Sequence, residues 1–74
     1  MTNKALAGLA SAVTMSPDEL ASVLNIQPEM LQTIKADHTG VDLIVQILTE
    51  WRESDDAIYL GHNAFAELHA LISN

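Results

Sequence analysis

Residues 40–53 read GVDLIVQILTEWRE, and this stretch decides the fold class. Val41, Ile44, Val45, Leu48 and Trp51 recur at three- and four-residue steps, which places them on one face of an α-helix. Leu43 and Ile47 widen that face. An apolar stripe this broad needs more than one neighbour to cover it, so a central helix is expected over about 40–53.

Moving toward the N-terminus, His38-Thr39-Gly40 breaks the chain, and Thr39 with Asp42 three positions on has the form of a helix cap. Pro28 opens a helix over about 28–36 that buries Met30, Leu31 and Ile34. Ser16-Pro17-Asp18-Glu19 is the clearest local signal. Ser16 can accept from the amide at Glu19, and Pro17 sits where its missing N–H costs nothing. The helix it starts, over about 17–24, buries Leu20, Ala21 and Leu24. Thr2 can cap a first helix over about 3–14, with Leu6, Leu9, Ala10 and Val13 facing inward.

Toward the C-terminus, Ser54-Asp55-Asp56 reads as a turn or a new cap. Ala57, Leu60, Ala64, Leu68 and Leu71 fit one helix over about 56–72, yet Gly61-His62-Asn63 interrupts it. Glycine costs about 1 kcal/mol inside a helix and asparagine caps well, so a final helix over about 63–73, capped by Asn63, is the preferred reading. No strand pattern or internal repeat is present. The expectation is one all-α domain over 1–74, a small antiparallel bundle of five to six helices.

Composition agrees. Of 74 residues, 49% are apolar, dominated by Ala and Leu, which favour helix over strand. There is no cysteine, so packing alone must hold the core, without disulfides or thiolate metal sites. The lack of cysteine suits a reducing compartment, and a cytoplasmic location is expected. Ten acidic and three basic residues leave a net charge of −7. Lys4, Lys35 and Arg52 can neutralise few phosphates, so neither nucleic acid nor an anionic membrane surface is an expected partner. No apolar run reaches the roughly 18–20 residues of a membrane span. The Ala/Leu-rich start is spaced as a helix face, which argues against a signal peptide.

No catalytic constellation is visible, and neither an enzyme nor a cofactor is expected. His62 and His69 lie two turns apart, too far to share a metal on a straight helix, and read as surface histidines. His38 next to Asp37 could serve a pH switch, but an ordinary loop histidine is the simpler reading. Charge concentrates at Asp18-Glu19 with Glu29, and at Glu53 with Asp55-Asp56. These are solvated helix ends near positive dipole termini, or an acidic patch that meets a basic patch on a partner. Trp51 is read as a core anchor of the central helix.

Two resemblances bear on function. Residues 20–37, with Leu20-Ala21, Leu24, Ile26, Leu31 and Ile34, resemble the core spacing of a repressor-type helix-turn-helix. That implies a reading helix over 28–36, with Gln32 and Thr33 at base edges and Lys35 on phosphate. Glu29 and Asp37 flank that helix, and it carries no arginine. The other resemblance, over about residues 16–72, is to the death domain, a six-helix interaction module of apoptotic and innate-immune signalling. Leu20-Ala21, Leu24-Asn25-Ile26 and residues 34–37 sit where that family has its leucine–alanine pair, its turn and its acidic helix end. Residues 38–42 match its polar turn, and residues 46–51, QILTEW, its leucine three places before a tryptophan. Asn63-Ala64, Leu68, Leu71 and Ile72 stand at its fifth helix. Asn25 occupies the position of the family's usual turn glycine, and about four extra residues follow Trp51. The family's sixth helix would begin at Asn74.

The death-domain resemblance implies a non-catalytic adaptor that assembles with other death-fold domains, homotypically or heterotypically, through charged helix faces. Position on the second and third helices assigns Asp18, Glu19, Glu29, Gln32 and Lys35 to those faces. The fourth helix and the following turn add Asp42, Arg52, Glu53, Asp55 and Asp56. A charge of −7 opposes self-association unless Lys35 and Arg52 dock into acidic spots, so a basic partner stands beside a homo-oligomer. The alternatives are a helix-turn-helix regulator and an acidic partner of a basic protein.

Overall fold

Helix starts in this chain are set by short polar side chains and by proline. The structure, a computed structural model, describes residues 2–73. Its elements are α1 (Asn3–Ala12), α2 (Pro17–Val23), α3 (Pro28–Asp37), α4 (Gly40–Arg52), α5 (Asp55–Leu60), a 3-10 turn (Gly61–Asn63) and α6 (Ala64–Ile72). The described residues contain no strand. The Thr2 hydroxyl accepts from the Ala5 amide at 3.1 Å, Ser16 from Glu19 at 3.2 Å and Ser54 from Ala57 at 3.3 Å. Each bond satisfies an amide that the first turn would leave unpaired. Pro17 and Pro28 occupy first turns, where no N–H is missed.

α4 is the central helix. It packs most extensively on α1 and also meets α2, α3 and α5. Leu43, Ile44, Ile47, Leu48 and Trp51 are buried along it. Around them close Leu6, Leu9 and Ala10 of α1, Leu20, Ala21 and Leu24, Leu31 and Ile34 of α3, and Ala57, Ala64, Leu68 and Ile72. Among the described residues no polar residue is buried, and no buried side-chain polar atom lacks a partner. The core is therefore held by apolar burial and close packing.

The structure corrects several expectations at the edges. α1 stops at Ala12, because Val13 turns extended (φ −70°, ψ 127°) and is only half-buried. Met30 is exposed, since α3 faces its neighbours through Leu31 and Ile34 and Met30 lies beside that narrow stripe. Val41 is also exposed, because it lies at the edge of the buried arc in the first turn of α4. Thr39 occupies the cap position of α4 without a side-chain bond, and the carboxylate of Asp42 instead meets His38 Nδ1. Asn63 does not cap either: the 3-10 turn runs into α6 with Asn63 in helical backbone (φ −84°, ψ −6°), so no cap geometry arises. Ser54 does cap a helix, as one alternative for that segment had it, but α5 is a separate element that the expected division into helices over 40–53 and 63–73 did not contain.

Three residues hold a positive φ: Asn25, Gly40 and Gly61. At the end of α2, the Ile26 amide donates to Ala21 at 2.8 Å and the Asn25 amide to Ser22 at 3.2 Å. This pair of bonds is a Schellman ending, which requires positive φ at the residue after the cap. Asn25 supplies it at φ 59°, asparagine being one of the few non-glycine residues that tolerate the conformation. Gly61, at φ 59° and ψ −126°, lies in a region that is essentially glycine's own, and it turns α5 into the 3-10 segment.

Candidate interaction surface

The residues assigned to charged faces are spread over α2, α3, α4 and the start of α5. Asp18, Gln32 and Lys35 come together where α2 meets α3: Lys35 Nζ lies 2.5 Å from Asp18 Oδ1, and Asp18 and Gln32 line a shallow hollow there. Their side chains are 31% and 70% exposed respectively for Lys35 and Asp18, so water screens the pair. Glu19 and Glu29 are exposed at the first turns of α2 and α3. Asp42 is exposed at the start of α4, in contact with His38. Arg52, at the other end of α4, donates to Asn3 Oδ1 at 2.8 Å. Glu53 joins Glu50 and Met30 around a hollow beside the α2–α3 turn. Asp55 and Asp56 sit exposed in the first turn of α5, favourably placed for its dipole. These residues do not form one continuous patch: Asp18, Gln32 and Lys35 cluster, whereas Asp56 belongs to a different feature.

That feature is a groove of about 410 Å³ bounded by the end of α2, the end of α4, α5 and α6. Buried Leu24 and Trp51 contribute apolar floor, and half-buried Leu60 and Leu71 flank it. Tyr59 stands on the rim with 91% of its surface exposed, and Val23 also lines the groove. Asp56 on α5 and Glu67 on α6 add carboxylates to the lining, which includes no Lys, Arg or His. Sequence reasoning did not single out Tyr59, Glu67 or Val23. Once α5 is a helix that buries Ala57 and half-buries Leu60, the intervening Ile58 and Tyr59 must point outward. The cap at Ser54 was the signal that could have found them.

His62 is exposed in the 3-10 turn, while His69 on α6 lies with its ring centroid 6.5 Å from that of Phe65. No group of metal-ligating side chains occurs among the described residues. Nor is any described helix long and apolar enough to cross a membrane. Comparison with protein-family models, curated proteins and solved structures finds no match.

Proposed function

We propose that this chain is a non-catalytic protein–protein interaction domain of the death-fold type, which assembles heterotypically with a partner carrying a basic face. The observation that carries the reading is the engagement of two of its three cations against an exposed acidic surface. Lys35 is paired with Asp18 and Arg52 is bonded to Asn3, while Glu19, Glu29, Glu53, Asp55 and Asp56 remain exposed. A second copy would bring the same acidic surface and few cations to answer it, so a basic partner is favoured over a homo-oligomer. The Asn25 turn supports the family resemblance, because asparagine there adopts the left-handed conformation that glycine would supply. Lys35 also weighs against the helix-turn-helix alternative, since the sole cation of the would-be reading helix is held by Asp18.

The test is titration against two basic probes, a death-fold domain of high isoelectric point and hen-type lysozyme, a basic protein of unrelated fold. Saturable binding to the death-fold domain alone is the expected result. Equal, salt-sensitive binding to both would replace the reading with that of a general acidic partner of basic proteins. Binding to neither would remove it.

A further inference from the structure

We propose that the groove between α2, α4, α5 and α6 is a docking site for a cationic amphipathic helix of another protein. This rests on the reading of the chain as a binder of basic partners, but it requires nothing of the partner's overall fold. The floor of Leu24 and Trp51 is apolar, so the occupant must offer an apolar side chain to it. The space, about 410 Å³, holds an apolar floor within reach of an inserted side chain. Asp56 and Glu67 enter from two different helices, so the same occupant gains from Lys or Arg beside its apolar anchor. A groove walled by helices, with no sheet edge among the described residues, suits an inserted helix rather than an added strand.

The rim carries the second argument. Tyr59, in the groove lining, is 91% exposed on a helix of only six residues. Large apolar side chains left in water gain most when a partner covers them, and tyrosine adds a hydroxyl for a polar edge. A second copy of this chain is not that partner. Lys35 and Arg52 are engaged within the fold, and Lys4 lies on α1, whose apolar residues Leu6 and Leu9 are already in the core. Among the described helices, none presents an exposed apolar stripe flanked by several cations.

The experiment uses a fluorescein-labelled Leu/Lys amphipathic peptide of about 18 residues, five helical turns. Its twin with Glu in place of Lys, and a Lys/Ser peptide of equal positive charge, serve as controls. Anisotropy reports binding, and the emission of Trp51, the only tryptophan, reports the groove. Micromolar binding of the Leu/Lys peptide with a shift in Trp51 emission is expected, with the Lys/Ser peptide at least about tenfold weaker and the Glu twin silent. Y59S should weaken binding about fivefold or more without unfolding the chain, while D37N, at the exposed C-terminal end of α3 outside the groove, should leave it unchanged. Equal binding of the Lys/Ser peptide, an unmoved Trp51 emission, or wild-type affinity in Y59S would each overturn the proposal. Peptide binding without binding of the basic death-fold domain would leave the groove standing and remove the family reading. The reverse pattern would remove the groove alone.

Discussion

Trp51 and Tyr59 border the same groove, yet the structure assigns them opposite energetic roles. Trp51 is 3% exposed at the C-terminal end of α4, where it belongs to the core that α4 shares with its neighbours. Removing a buried tryptophan side chain to alanine costs about 3–5 kcal/mol, part of it lost transfer energy and part the cavity left behind. A 74-residue domain has a total stability of roughly 4–11 kcal/mol at about 0.05–0.15 kcal/mol per residue. Trp51→Ala should therefore remove between about a quarter and all of the stability. With an unfolding entropy of about 2.1 cal/mol/K per residue, the melting temperature should fall by roughly 20–30 °C. Far-ultraviolet circular dichroism is the right probe, because the substitution deletes the only tryptophan fluorophore. Trp51→Phe keeps a ring in place and should lose only about 1–2 kcal/mol. Tyr59→Ser, at a position 91% exposed, should stay within about 0.5 kcal/mol of wild type. If Trp51→Ala melted within a few degrees of wild type, the ring would not be part of the core, and the account of α4 as the packed centre would fail.

Gly61→Ala should cost about 1–2 kcal/mol in a denaturant titration, entirely through backbone conformation, since a Cβ there would meet no atom within 4 Å. Asn25→Gly should be close to neutral in the same assay, whereas Asn25→Ala should lose about 1 kcal/mol at its positive φ. Lys35→Met should change the thermal midpoint little, because a solvent-exposed ion pair contributes about 0–1 kcal/mol. Reversing Asp55 and Asp56 to lysine should abolish binding to a basic death-fold domain while circular dichroism still shows a folded helix bundle; unchanged binding would remove that turn from the interface. Sedimentation of the pure chain over a wide concentration range should give a monomer at both low and high salt, and salt-soluble growth would restore the homotypic reading.

Where burial depends on local periodicity, the sequence was legible. The α4 stripe, the pair Leu20-Ala21 and the caps at Thr2 and Ser16 all follow from spacing and from one hydroxyl reaching one amide. Legibility failed where a neighbour decides. Met30 and Val41 fit their helical stripes by spacing, but only the number of helices packed against α3 and α4 determines how wide a stripe is covered. Thr39 and Asn63 carry capping side chains, but the contact of Asp42 with His38 and the 3-10 turn before Asn63 displaced those bonds. The charged faces were legible as composition rather than as places. Lys35 and Asp18 are 17 positions apart, and nothing local in either segment announces that α2 and α3 bring them to 2.5 Å.

The segment after Trp51 connects these threads. On the death-fold reading proposed above, this segment would be about four residues longer than that family's pattern. An insertion of that size can be absorbed as a longer surface loop at little entropic cost. Here it is ordered instead: Ser54 bonds the Ala57 amide, Asp55 and Asp56 favour the first turn, and Gly61 ends the helix in a conformation other residues resist. Ala57 is the one buried side chain of α5, so the helix contributes little to the core for the order it maintains. What it does hold is Asp56 at the groove and Ile58 and Tyr59 in solvent. A short helix with three such residues facing outward is better explained by contact with a partner than by the stability of the bundle. Deleting residues 55–58 should therefore abolish peptide docking with a smaller loss of stability than Trp51→Ala, since it removes one small buried side chain from the core and leaves Leu48, Trp51 and Leu68 in place. If the deletion instead unfolded the chain, α5 would be a structural element first and the groove a by-product of it.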